Sequence, residues 1–226
     1  MAAEHLYTFI NPTHQGHLDR VCRILANDGI IAYPADINWA FACDATSQKA
    51  LAKIRQLKSS NTKEQPFTLL CDSISTAAKM AMIGQADYRI LRKILPGDYT
   101  VLLMSSKQLP KHINDKRKVV GIRIPKSPLI IDIMTLYQKP IVTSSVPEIP
   151  DPQIEGNMIL PRFGYQVDQY FGHGIDLILD LGEELPGLET SVVDLSEDAP
   201  KIIREGAGDV GFLRGLIDSG EAFDPN

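Results

Sequence analysis

Four side chains with phosphate-binding chemistry lie in or beside short apolar runs that are typical of strands. Arg123 belongs to an apolar run that Pro125 ends, and Arg204 precedes a Gly-Ala-Gly turn. Ser144 ends a third run, and Ser191 lies in a fourth. A guanidinium group binds two phosphate oxygens at once, and a hydroxyl adds a further hydrogen bond. These residues therefore predict a nucleotide-phosphate site bordered by strand ends.

Other kinds of chemistry find little support in the sequence. The chain lacks the motifs Gly-x-x-x-x-Gly-Lys-Ser/Thr, Gly-x-Ser-x-Gly and His-Glu-x-x-His, which carry phosphate-loop, serine-hydrolase and zinc-protease chemistry. His14 and His17 could share a helix face, but no third ligand lies nearby, and surface histidines explain the pair better than a metal. We therefore predict no structural metal, and the sequence leaves the catalytic residues unassigned.

A basic stretch over residues 107–126 offers a second feature that would attract anions. It holds seven Lys and Arg residues against one acid, Asp115. The formal net charge of −5 conceals this, because residues 1–147 carry 19 basic and 11 acidic side chains, whereas residues 148–226 carry 4 and 17. Such a stretch attracts phosphates, although a solvated basic surface is the alternative. Lys116, Arg117 and Lys118 are additional candidates for the site.

Short helices and strands must position these residues. Apolar spacing predicts helices over 17–28, 47–57, 73–80, 90–95, 128–137 and 210–217. Apolar runs predict strands over 30–33, 67–71, 99–104, 119–124, 140–143, 176–180, 191–194 and 202–204. Because some strands follow one another directly, we expect a mixed sheet. The four prolines in 146–163 predict a long loop that is mobile or closes over a site.

The composition is typical of a globular protein from a reducing compartment. The 226 residues are 44% hydrophobic and 23% charged, which excludes disordered and collagen-like chains. No apolar run approaches the length of a membrane helix, and the N-terminus lacks the pattern of a signal peptide. Cys22, Cys43 and Cys71 lie among apolar residues, as buried free thiols do. We expect a cytoplasmic protein with one domain over 1–226 and no membrane partner.

Six segments of the chain carry a family resemblance. They cover residues 29–43, 95–100, 116–125, 140–145, 190–194 and 203–206. Together they resemble the YrdC/YciO family in family order, and the segments 67–71 and 204–209 are most similar to the YciO branch. The resemblance implies an α+β (mixed α/β) fold, in which a twisted mixed sheet flanked by helices encloses a basic concave cavity. It also implies a single YrdC-like domain without the extra C-terminal domain of longer relatives.

The same resemblance implies a function. Characterised members make L-threonylcarbamoyladenylate from threonine, bicarbonate and ATP, and the product feeds the t6A modification of tRNA. Other members are linked to double-stranded RNA binding. The family's site residues match at Arg123, Ser144, Arg204 and the pair Thr190-Ser191. The resemblance therefore implies ATP or AMP as the ligand, and Mg2+ could accompany it.

The opening loop departs from the pattern of the synthases. Their loop carries two threonines, one of which helps to hold the amino-acid substrate, whereas this chain has Ala35 and Ile37. Each lost neutral hydrogen bond weakens binding by about 1 kcal/mol. Val146 also replaces the Asn of the family's Ser-x-Asn. The resemblance thus implies that the phosphate side is kept and that the threonine and bicarbonate side is lost.

The family's Lys-x-Arg pair is also incomplete. It aligns with Arg55-Gln56-Leu57 or, after a shift, with Lys58-Ser59-Ser60, and either alignment keeps one cation. The following Lys-Pro of the synthases is Gln65-Pro66 here, and Lys63 is a candidate replacement. Arg55, Lys58 and Lys63 are therefore further candidate contacts for a nucleotide.

Three hypotheses follow from the residues and the resemblance. We favour a YciO-type nucleotide-binding protein, in which Arg123 and Arg204 hold phosphates and Ser144 and Ser191 bind phosphate or ribose. The first alternative is an active L-threonylcarbamoyladenylate synthase. The second is a non-catalytic module that binds double-stranded RNA or tRNA through the backbone, using residues 107–126. The sequence leaves the oligomeric state open.

Overall fold

The protein contains both helices and strands throughout its length. A computed structural model describes residues 3–10, 12–58, 66–110, 113 and 118–218. In chain order the strands are β1 (Glu4–Tyr7), β2 (Ile31–Ala35), β3 (Asn38–Asp44), β4 (Thr68–Leu70), β5 (Tyr99–Met104), β6 (Val119–Arg123), β7 (Ile141–Ser145), β8 (Ile149–Pro150), β9 (Met158–Ile159), β10 (Leu177–Asp180), β11 (Ser191–Asp194) and β12 (Lys201–Arg204). The helices are α1 (Gln15–Ala26), α2 (Gln48–Leu57), α3 (Ile74–Met80), α4 (Gln85–Ile94), α5 (Pro128–Tyr137), α6 (Gly164–Phe171) and α7 (Gly211–Asp218).

The chain forms two compact units. The first unit takes residues 1–63 and 127–188, and the second takes residues 64–126 and 189–226. The strand order in the first unit is β1-β10-β2-β3-β7, in which β1, β10 and β2 are parallel, while β3 is antiparallel to both β2 and β7. The predicted mixed α/β class is confirmed. The single domain over 1–226 stays a prediction.

The second unit contains the strands that carry both candidate arginines. Its strand order is β4-β6-β5-β11-β12. The pairs β4–β6 and β5–β11 are parallel, whereas β5–β6 and β11–β12 are antiparallel. In this unit α4 buries an apolar stripe of Ile90, Leu91 and Ile94. The Lys93 ammonium on α4 lies 5.4 Å from the ring centroid of Phe212 on α7.

Local capping explains why the predicted helices begin where they do. The Ser47 hydroxyl accepts a hydrogen bond from the Ala50 amide, and the Ser73 hydroxyl accepts one from the Thr76 amide, each at 3.1 Å. A side-chain oxygen in this position satisfies an amide that the first helical turn leaves without a backbone partner. The predicted starts of α2 and α3 are therefore confirmed.

Some elements differ from the sequence-based expectation. The strand predicted over 30–33 continues through Pro34 to Ala35, because β2 remains paired with β3 through the Ala35–Asn38 register. The segment 146–163, predicted as a loop, contains the antiparallel pair β8–β9. The Asp151 carboxylate closes the turn of this hairpin by accepting from the Gln153 amide at 2.8 Å and the Asn157 side chain at 2.9 Å. Its role as a lid stays a prediction.

The buried cysteines agree with the expectation of free thiols. Cys43 and Cys71 are buried, while Cys22 is half-buried, and all three are free. Burial raises the pKa of Cys43 and of Cys71 to about 12. Both thiols are therefore protonated at neutral pH and chemically inert. Separately, among the described residues none of the helices has the length and apolar character that a membrane span requires.

Candidate functional site

The two faces of the strands in the second unit differ in how far they are covered. Side chains alternate between the faces along each strand. One face carries residues that are fully buried: Val101, Leu103, Val120, Ile122 and Val193. On the other face, Thr100, Met104 and Val192 remain partly exposed, whereas Leu102, Val119 and Asp194 are buried. We call this second face, which Thr100, Met104, Arg123, Val192 and Arg204 share, the open face.

Strand register places Arg123 and Arg204 on this same face. Val101 lies opposite Ile122, so the next residues along the two strands, Thr100 and Arg123, share the other face. Thr100 is in turn the partner of Val192, and Val192 is the partner of Arg204. Residues that are directly opposite on neighbouring strands point to the same face. The two arginines therefore stand at the ends of one row that crosses β6, β5, β11 and β12.

Arg123 is a buried cation at the end of β6. The residue is only 4% exposed, and its backbone carbonyl accepts from the Cys71 amide at 2.9 Å. Arginine is almost never this buried unless specific partners surround it. Arg123 is therefore a positioned cation of the open face, in contrast to the solvated lysines of the surface.

Arg204 is held in one orientation by the start of β11. Its Nε donates to the Thr190 carbonyl at 2.9 Å, and its Nη2 donates to Thr190 Oγ1 at 3.2 Å. Its Nη1 donates to the carboxylate of Glu189 at 2.5 Å. Both side chains of this ion pair are partly exposed. Because Thr190 lies one strand inward from Arg204, these bonds direct the guanidinium towards the middle of the sheet. Thr190 Oγ1 also lies 3.1 Å from Thr100 Oγ1.

Ser191 points to the opposite face and is fully buried. Its register partner is Tyr99, and its hydroxyl donates to the Gly208 carbonyl at 2.6 Å while accepting from the Gly206 amide at 2.9 Å. The sequence predicted this hydroxyl as a contact for phosphate or ribose. In the structure Ser191 positions the turn at 206–208, and its direct contact with a ligand stays a prediction.

The turn at 206–208 uses its amides within the protein. Besides the Gly206 amide, the Ala207 amide donates to the Glu189 carbonyl at 2.9 Å. The Tyr99 hydroxyl donates to the Asp209 carbonyl at 2.6 Å, and burial, helped by the nearby Asp209 and Asp98 carboxylates, raises the pKa of Tyr99. The turn therefore anchors the segment that follows Arg204.

We expect Ser191→Ala to lower the free energy of unfolding by about 2 kcal/mol, because it leaves a buried amide and a buried carbonyl without their partner. The melting temperature should fall by about 4–8 °C, which thermal unfolding measures. Ser75→Ala is the control, because Ser75 is exposed on α3 and alanine favours helix. A variant Ser191→Ala that is as stable as the parent would contradict the positioning role.

The remaining candidates lie elsewhere, and some lie outside the described residues. In the first unit Ser144 is half-buried on β7 opposite Phe41, and Arg55 is exposed in the last turn of α2, which Lys58 follows. In the second unit Lys118 is exposed with a left-handed backbone, φ 58°. Lys63, Lys116 and Arg117 fall outside the described residues. The nucleotide contacts predicted for all these side chains stay predictions.

Thr100 and Glu189 are neighbours of the arginines that the sequence analysis missed. Thr100 is a polar residue within an otherwise apolar strand, which is the signal that could have identified it. Glu189 gave no such signal, because its contact with Arg204 depends on the pairing of β11 with β12. Within the part of the chain that the structure describes, no cluster of His, Cys, Asp or Glu could hold a metal ion.

Comparison with known proteins adds a family model and several relatives. A family model named for Sua5, YciO and YrdC, described as "Telomere recombination", matches residues 23–206. YciO of Escherichia coli K12, an uncharacterised protein, is 27% identical over 210 residues, which cover 90% of this chain and 97% of that protein. A threonylcarbamoyl-AMP synthase of Psychromonas ingrahamii is 29% identical over 134 residues, which cover 58% of this chain and 70% of the synthase.

Two solved structures share the fold. The crystal structure of Escherichia coli YciO matches with a TM-score of 0.81 and 24% identity, covering 93% of this chain and 98% of that one. The crystal structure of Pyrococcus abyssi Sua5 complexed with L-threonine matches with a TM-score of 0.78 and 20% identity, covering 96% of this chain and 61% of that one. At these identities the likeness concerns the fold alone.

Proposed function

Because the chain belongs to the Sua5/YciO/YrdC family, we propose that it binds an adenine nucleotide, ATP or AMP, whose phosphates Arg123 and Arg204 hold. The chain is related to threonylcarbamoyl-AMP synthases, which supports an adenylate as the ligand class. Mg2+ would accompany ATP, and the protein would act in the cytoplasm. The proposal stops at binding, because the chain departs from the synthase pattern at its opening loop.

One observation carries the proposal: two guanidinium groups share one face of the sheet, where Arg123 is buried and Arg204 is partly exposed. Arg123 and Arg204 are separated by three strand spacings, or roughly 14 Å between Cα atoms, and the guanidinium of Arg204 is directed inward by Thr190. A phosphate chain between them would meet the guanidinium of Arg123 at one end and the Arg204–Glu189 ion pair at the other. Charge-assisted bonds of this kind are about twice as strong as neutral ones.

The opening loop argues against a working synthase. Ala35 is 2% exposed and Ile37 is 9% exposed, so apolar side chains fill the positions where the resemblance expects threonine hydroxyls. A substrate that needs those hydroxyls would lose about 1 kcal/mol for each missing bond. We therefore do not favour an active synthase, and an assay of pyrophosphate release tests this alternative.

The test is thermal unfolding of the full chain with ATP, AMP, GTP or inorganic pyrophosphate. A ligand at about 100 times its dissociation constant stabilises the native state by about 2.7 kcal/mol, which raises the melting temperature by about 5–10 °C for a chain of this size. We expect this rise with ATP or AMP and a smaller one with GTP. The absence of any shift with adenine nucleotides at millimolar concentration would refute the proposal.

Two further assays separate the alternatives. Pyrophosphate release that requires threonine, bicarbonate and ATP together would replace binding alone with synthase activity. Affinity for double-stranded RNA that falls steeply with salt, and that adenine nucleotides do not reduce, would favour the RNA-binding module. We expect neither result.

A further inference from the structure

We infer that Thr100 is a further ligand contact, whose hydroxyl donates to an anionic oxygen bound on the open face beside Arg123. The inference deepens the proposed function and rests on it for the presence of an anionic ligand. It assigns a role to a residue on the central strand β5 that lies between the two arginines in the row described above. The shared chemistry is an anionic oxygen, which a phosphate or a carboxylate supplies.

The direction of the hydrogen bonds follows from the chemistry of the three groups. A guanidinium group only donates, so Thr190 Oγ1 accepts from Arg204 Nη2. Thr190 is 3% exposed, and buried hydroxyl groups almost always use their hydrogen within the protein. Thr100 Oγ1, at 3.1 Å, is an acceptor within reach. Thr190 therefore donates to Thr100.

The hydroxyl hydrogen of Thr100 is then directed away from Thr190. Thr100 is half-buried, so this hydrogen is available on the open face. Arg123 follows Ile122, the register partner of Val101, so it lies on the same face as Thr100 on the neighbouring strand. A hydroxyl donor beside a guanidinium donor matches two oxygens of a single phosphate or carboxylate group.

The bonded chain connects Arg204 to Thr100 through Thr190. Arg204 polarises the hydroxyl of Thr190, and hydrogen bonds in a chain strengthen one another. The hydrogen of Thr100 is therefore more positive than that of an isolated threonine. The face thus presents two neighbouring donors, Arg123 and Thr100, to a ligand, while Arg204 supports Thr100 through Thr190.

The test compares Thr100→Val with Thr100→Ser, using isothermal calorimetry with inorganic pyrophosphate and with L-threonine as probes. Valine keeps the shape of threonine but removes the hydroxyl, so we expect the affinity for one probe to fall about fivefold to tenfold. Serine restores the donor and should bind within about twofold of the parent. Thermal unfolding of each variant verifies that the fold is kept.

Thr68→Val is the matched control. Thr68 is half-buried on β4 and lies two residues from the register partner of Arg123 on the same face, but its hydroxyl is outside the bonded chain. We expect its affinity for both probes to be unchanged. Equal weakening by Thr68→Val and Thr100→Val would overturn the inference, because polarity of the face would then explain the loss.

The outcomes also separate this inference from the proposed function. Weakening for pyrophosphate alone identifies a phosphate oxygen, and weakening for L-threonine alone identifies a carboxylate. Parental affinity of Thr100→Val for both probes, or a parent chain that binds neither, would overturn the inference. Pyrophosphate binding that depends on Thr100, in a protein that adenine nucleotides do not stabilise, would keep the inference and refute the proposed function.

Discussion

Arg123→Met is expected to weaken binding of ATP or AMP by roughly tenfold to a hundredfold, because a hydrogen bond to a charged group contributes about 1.5–3 kcal/mol. Methionine keeps an unbranched side chain on the open face but removes both the charge and the fork of donors. The residue is 4% exposed, so little bulk water is available to replace the lost donors. Calorimetric titration with each nucleotide measures the change.

Two further variants show whether the loss arises from the fork or from charge in general. Arg123→Lys keeps the charge without the fork and should bind with intermediate affinity. Arg214→Met removes the same charge within the second unit, but from a side chain that is 58% exposed and paired with Glu205, so we expect a change below twofold. Parental affinity in Arg123→Met would contradict the proposed phosphate contact.

Helix starts could be predicted because their signals are local. Ser47 and Ser73 cap α2 and α3 through amides three residues ahead, and Pro128 occupies the first position of α5. Strand β3 was missed for the opposite reason. All seven of its residues are buried, but its position depends on pairing with β2 and β7, which are separated from one another by about a hundred residues.

The candidate site could be predicted only in part, because faces depend on register. Arg123 and Arg204 are 81 positions apart, and they share a face only through β5 and β11, which no spacing rule connects. Ser191 illustrates the converse. It belongs to the same segment as Thr190, but alternation along the strand directs it to the opposite face, where it bonds the turn at 206–208. Residue type alone does not distinguish these two hydroxyls.

Gly206→Ala is expected to destabilise the fold by about 3 kcal/mol or more, since it forces backbone atoms apart. A Cβ at this position would lie 2.2 Å from the Glu189 carbonyl oxygen and 2.6 Å from the Thr190 carbonyl carbon. Neither is the end of a flexible side chain, so the turn or the start of β11 must move. Thermal unfolding should show a fall in melting temperature of about 6–12 °C.

Gly215→Ala provides the matched control, because a Cβ there meets nothing within 4 Å and the residue lies in helix α7. Alanine in place of an exposed helical glycine should stabilise the protein by up to about 1 kcal/mol. Both variants add one methyl group, but we expect Gly206→Ala to lower the stability and Gly215→Ala to raise it. A general effect of lost glycine flexibility would instead change the stability of both variants in the same direction. Because Arg204 is oriented by the Thr190 carbonyl, movement of this segment should also weaken nucleotide binding. Parental stability and parental affinity in Gly206→Ala would show that the turn does not hold Arg204 in place.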